Sequence, residues 1–133
     1  MPTPAPPLSA LVLLVVAGGG AIGSVARYGV GVLLAPHTTT FPWATLAVNV
    51  VGAFLIGVFA RLFAAPDADH VLRLALTTGF CGGFTTFSTL SAETVSLLQQ
   101  GKLARAGAYI AVSLTLGLAA TFAGLAVGSR PSS

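Results

Sequence analysis

Of 133 residues, 55% are hydrophobic and only 7% are charged. A globular domain carries roughly 25% charged residues, so this chain cannot build an ordinary water-facing surface. The net charge of +3 is small and scattered, which argues against nucleic-acid binding, and the single cysteine, Cys81, excludes an internal disulfide; it reads as a small buried apolar residue.

Four apolar stretches run over residues 9–34, 43–63, 71–99 and 103–128. Each exceeds the roughly 20 helical residues that cross a hydrocarbon core. The expected fold is therefore an all-α membrane protein: one domain, residues 1–133, with four transmembrane helices in a multi-pass arrangement surrounded by lipid. The Pro-rich lead, residues 2–7, is expected to be disordered. It has no Lys or Arg, so the positive region of a signal peptide is missing, and the first apolar stretch reads as a retained helix.

In helix one, Gly19, Gly23, Arg27 and Gly31 fall four apart on one face. Small residues at this spacing let helix backbones approach closely in lipid. Arg27 has two open readings: a functional or pairing role at membrane depth, or snorkelling to the interface. The run Gly18-Gly19-Gly20-Ala21-Ile22-Gly23 formally matches G-x-G-x-x-G. A dinucleotide site would need an acid about 20 residues on, and the first acid is Asp67.

In helix two, Thr45 and Asn49 lie one turn apart, followed at the same spacing by Ala53 and Gly57. A carboxamide in lipid must find a partner. It either bonds a neighbouring helix or offers its NH₂ to an anion. Helix three holds Gly79-Phe80-Cys81-Gly82-Gly83-Phe84-Thr85-Thr86-Phe87-Ser88-Thr89. The clustered glycines predict a break over residues 79–84, with unwinding at Gly82 and Gly83 and a half-helix restarting near Thr85. Unwound carbonyls suit Na⁺-like cations, a restarted helix presents N–H groups, and Phe84 and Phe87 can turn positive ring edges to an anion. Glu93 is the only acid outside the loops. It pairs with Arg27, pairs with an Arg of a partner chain, or lies at the interface. In helix four, Tyr109, Ser113, Gly117 and Thr121 recur every four residues, a polar stripe read as a wetted pathway.

With four spans, Arg61, Arg73 and Arg130 fall on one side of the membrane, and Lys102 and Arg105 on the other. Arg27 votes weakly for the second side and evens the count. Such a chain has almost no positive-inside bias. It is free to insert in both orientations, and two opposed copies would pair about an axis in the membrane plane.

The segments Gly18-Gly19-Gly20-Ala21-Ile22-Gly23-Ser24-Val25-Ala26-Arg27-Tyr28, Thr45-Leu46-Ala47-Val48-Asn49-Val50-Val51-Gly52 and Thr78-Gly79-Phe80-Cys81-Gly82-Gly83-Phe84-Thr85-Thr86-Phe87-Ser88-Thr89 together resemble the small microbial fluoride channels of the CrcB/Fluc family. The resemblance spans essentially the whole chain, and its helix-three motif is the specific part. It implies an antiparallel, dual-topology homodimer in the cell (plasma) membrane, with two fluoride pores that lower cytoplasmic fluoride. It also implies a structural Na⁺ at the dimer centre, on the carbonyls of Gly82 and Thr85. The pore donor falls on Asn49 and the polar track on Tyr109 and Ser113, with Thr45 nearby. The family's phenylalanine pair falls on Phe87 and position 90. Here position 90 is Leu90 and position 117 is Gly117. The first departure predicts slower flux or weaker selection against chloride.

Glu93 is the one membrane carboxylate for proton coupling, so passive conduction is expected over pumping. A small multidrug-type exporter would need an acid on an early helix, and helices one and two have none. A non-conducting assembly subunit would account for the small-residue faces but not for the broken helix. Enzyme readings lack a Cys/His metal cluster, a nucleophile–base pair and a phosphate loop; His37 and His70 are in loops.

Overall fold

The computed structural model describes residues 8–129, and every regular element among them is helical. The Pro-rich lead and the tail with Arg130 lie outside the described residues. Helix α1 (Ala10–Leu34) begins where the Ser9 hydroxyl accepts the Val12 N–H at 3.2 Å, an N-cap for otherwise unpaired first-turn donors. It ends in a 3₁₀ turn, Ala35–His37, that contains Pro36. Helix α2 (Trp43–Leu62) starts directly after Pro42. Both prolines act where expected, since proline cannot continue a helix but is tolerated at its start.

The third apolar stretch is not one helix. Asp69 caps α3 (His70–Leu74) by accepting the Leu72 N–H at 2.9 Å. A π-helical stretch (Ala75–Cys81) and a single helical turn, α4 (Gly82–Phe84), follow. Two extended residues separate these from α5 (Phe87–Gln99). After a turn at Gly101, which has φ 74°, α6 (Leu103–Val127) closes the chain. Three helices, α1 with its 3₁₀ turn, α2 and α6, are long and apolar enough to cross a membrane. None of the pieces of the broken stretch reaches that length on its own.

The break lies later than the sequence predicts. Gly82 and Gly83 stay helical, while Thr85 (φ −89°, ψ 159°) and Thr86 (φ −151°, ψ 109°) are extended. The glycines serve close approach instead of unwinding. A Cβ on Gly83 would run into the Gly20 carbonyl of α1, and one on Gly23 into the Phe80 carbonyl. The threonine hydroxyls brace both edges of the break. The Thr85 N–H keeps its helical bond to the Cys81 carbonyl at 3.0 Å and its Oγ1 adds a second at 2.9 Å, while Thr86 Oγ1 accepts the Thr89 N–H at 3.1 Å.

Two helix pairings build the fold. Helix α1 lies along the π-helical stretch and α4, and α2 lies along α6. The second pairing closes at Gly57 and Gly124, where an added Cβ would strike the Thr121 and Phe54 carbonyls respectively. Leu46, Leu97, Ala106 and Tyr109 form a small core that Phe41, Val50, Leu90 and Val112 partly cover. Many large apolar residues of α1 and α6 point outward, among them Leu14, Ile22, Leu114 and Phe122. In water this surface would be untenable; in a bilayer it faces hydrocarbon.

Gly124→Ala is expected to force α2 and α6 apart, at a cost of about 1–3 kcal/mol for overpacking. A lowered thermal midpoint of the detergent-solubilised protein, beside an unchanged or raised midpoint for Gly107→Ala at a helical position with open space, is the measurement that checks it.

Candidate functional site

Asn49, in the second turn of α2, meets the break directly. Its Oδ1 accepts the Thr86 N–H at 2.7 Å, and its Nδ2 donates to the Thr86 carbonyl at 3.2 Å. One carboxamide thus satisfies both polar groups of an extended residue, as a neighbouring strand would. Of the two readings for Asn49, the interhelical bond is present. A carboxamide nitrogen carries two N–H donors, so one is left for another acceptor.

This pairing decides which carbonyls of the broken stretch are free. The regular helical donor to the Gly82 carbonyl would be the Thr86 N–H, which Asn49 has taken. The Thr85 carbonyl precedes the cap of α5 and so lies outside its hydrogen-bond ladder. Between them, the Gly83 carbonyl accepts from Arg27 Nε at 3.0 Å. The Arg27 guanidinium therefore has a buried-side partner, and that partner is backbone, not Glu93.

Glu93 in α5 is held by two hydroxyls. Thr45 Oγ1 donates to its Oε1 at 2.6 Å, and the Tyr109 hydroxyl donates to its Oε2 at 2.9 Å. Tyr109 is fully buried and Thr45 is buried. Hydrogen bonds to a charged acceptor are shorter and stronger than neutral ones, and here one carboxylate ties α2, α5 and α6 together. Of the settings expected for Glu93, pairing with Arg27 is not the one adopted, and the two hydroxyl partners are an addition to them.

Two cavities flank the break. One, of about 430 Å³, is lined by Asn49, Gly82, Thr85, Phe87, Leu90 and Ser113, among others. The other, of about 420 Å³, is lined by Arg27, Thr45, Thr89 and Glu93 among others. Thr86 lines both, so the Asn49–Thr86 pair stands in the wall between them. Ser113 Oγ is buried with no hydrogen-bond partner, an orphan that points to water or a ligand in this cavity. Phe87 is 80% exposed. Leu90 lines the same cavity and also packs against the small core.

The helix-four stripe divides into unlike parts. Tyr109 serves Glu93 and Ser113 faces the first cavity, while Thr121 Oγ1 contacts the Ala53 and Gly117 carbonyls, each at 3.1 Å. Thr121 therefore ties α6 to α2, and the wetted-pathway reading stops short of it. The residue that sequence reasoning passed over is Thr86. Its signal was available: a Thr just before a helical pattern with Thr89 three residues later has the form of an N-cap.

The sequence model of the family described as "CrcB-like protein, Camphor Resistance (CrcB)" matches residues 14–125. A relative from Rhizobium johnstonii is 57% identical over 116 residues, covering 86% of this chain and 93% of its own. One from Rhizobium etli is 56% identical over 119 residues, with the same coverage of both chains. One from Agrobacterium fabrum is 52% identical over 121 residues, covering 87% and 94%. Each of the three is called "Fluoride-specific ion channel FluC". These matches and the apolar helices identify a multi-pass membrane protein of a channel family, not an enzyme family.

Asn49→Ala is expected to strip both bonds from Thr86, at about 1–3 kcal/mol for each polar group left unpaired. Faster amide hydrogen exchange at Thr86 and the first turn of α5, measured in detergent against the wild-type protein, is the check.

Proposed function

Because the chain belongs to the CrcB-like family, we propose that it is a fluoride-selective channel through which cytoplasmic fluoride leaves the cell passively across the plasma membrane. The observation that carries this reading is the cavity where the unpartnered Ser113 hydroxyl, Asn49 and Phe87 converge. The names of the relatives support fluoride as the ion.

Fluoride is small and strongly hydrated, so a pore must replace its water with close donors. Channels select by such replacement, with sites strong enough to enter and weak enough to leave. The free N–H of Asn49, the O–H of Ser113 and the positive edge of Phe87 are donors of this kind. Thr45 and Tyr109 already donate to Glu93, so fluoride competes with a carboxylate for their hydroxyls. That competition weakens binding at this point and favours onward movement. Arg27, on the second cavity, adds a positive charge that draws anions in.

Fluoride passes between two copies in this proposal, arranged as an antiparallel homodimer with the broken stretch as the fourth crossing. The near balance of positive charge on the two sides supports dual insertion. The carbonyls of Gly82 and Thr85 are hard oxygen donors freed by the break, and they fit a structural Na⁺, which when bound supplies a fixed positive charge at the dimer centre.

Liposomes reconstituted with the purified protein are expected to release fluoride rapidly and chloride slowly, and Asn49→Asp or Phe87→Ala to abolish the fluoride release. Release no faster than from empty liposomes would overturn the proposal. Leu90→Phe adds a second ring edge, taken on the scale of an edge-to-face aromatic contact, roughly 0.5–1.5 kcal/mol. It is expected to raise the fluoride-to-chloride rate ratio about two- to tenfold; an unchanged ratio and flux would show that Leu90 does not limit selectivity.

A further inference from the structure

Tyr109 is the largest fully buried side chain among the described residues, at 0% exposure, yet it lies near one end of the bundle. It is the seventh residue of α6, so only about 9 Å of helix separates it from the loop side. The loop between α1 and α2 emerges on the same side. What covers Tyr109 there is Phe41. The two rings meet edge to face, with centroids 5.4 Å apart and planes at 77°. Trp43 backs Phe41 at 4.6 Å.

Phe41 is held in place by its own loop. The Trp43 N–H donates to its carbonyl at 2.8 Å, closing a tight turn. Pro42 lies inside that turn, with its φ restricted by its ring. The Pro42 carbonyl in turn accepts the Leu46 N–H at 3.2 Å, which ties the turn to the start of α2. Neither Phe41 nor Tyr109 lines the cavity that reaches Glu93 and Thr45. That cavity reaches the carboxylate between α1 and α2, past Ala35 and Ala44 at the loop end, and the Tyr109 ring lies outside it beneath Phe41.

We infer that Phe41 is a positioning residue for conduction: it fixes the Tyr109 ring so that the hydroxyl stays on Glu93. It makes no contact with the ion and acts through Tyr109. The inference rests on the fluoride-channel reading for its effect on flux, but its effect on the ring can be read independently.

The test pairs two measurements on Phe41→Ala, with Phe41→Leu as the conservative variant. The first is fluoride release from liposomes. The second is ¹⁹F NMR of 3-fluorotyrosine in a Tyr28→Phe background, which leaves Tyr109 as the only tyrosine. A clamped ring flips slowly and gives two resonances, one for each placement of the fluorine; a released ring averages them to one. Phe41→Ala is expected to show one averaged resonance and release slowed about two- to tenfold, the scale of a lost edge-to-face contact. Phe41→Leu, which keeps the apolar cover, is expected to keep two resonances and most of the flux. Two resonances in Phe41→Ala, or wild-type flux with an averaged ring, overturns the inference. If Phe41→Ala does not fold, Phe41→Val takes its place under the same two criteria. A wild-type protein that releases no fluoride sinks the channel reading, while the ring measurement still decides whether Phe41 clamps Tyr109.

Discussion

The fold turns on one pairing, the Asn49 carboxamide against the backbone of Thr86. An extended residue within a helical membrane protein has no helical partner for its N–H and carbonyl, and each such group left unpaired away from water costs several kcal/mol. Asn49 satisfies both from a helix that is mostly apolar. With its backbone satisfied, Thr86 can use its hydroxyl to cap α5. The position of the break then follows, and with it the placement of Phe87 and Glu93 on the restarted helix.

Polar side chains at equal spacing have unequal fates in this structure. Tyr109 is satisfied by a carboxylate, Thr121 by the backbone of α2 and its own helix, and Ser113 by no group of the chain. Only the unsatisfied one faces a cavity that also holds Asn49. A conducting path needs donors that are available, and availability depends on what each group has already bonded. The carboxylate of Glu93 matters for the same reason, since it occupies the hydroxyls of Thr45 and Tyr109.

The helical class, the loop positions and the existence of a break were legible in the sequence, because Pro36, Pro42 and the apolar lengths leave few alternatives. Thr45, Asn49, Tyr109 and Ser113 could be picked out by four-residue spacing, which reports a shared face. The place of the break was not legible. A run of glycines looks like a point of weakness, but in lipid it equally provides backbone contact, and α1 uses Gly83 that way. The setting of Glu93 was also hidden: its partners come from residues 48 and 16 positions away, and no periodicity links them. Phe41 was hidden for a related reason, since a lone aromatic in a loop carries no pattern.

The described residues include only seven buried hydrophobics, from Leu46 to Tyr109. Most of the apolar surface of α1 and α6 has no covering within the chain. The hydrocarbon that surrounds the protein is therefore a component of its folded state, contributing contacts that a soluble domain would make to itself. A melting temperature for this polypeptide thus belongs to a protein–amphiphile pair. Moving from one detergent to another, or from a thin bilayer to a thick one, changes the system whose stability is measured, even though no residue has changed.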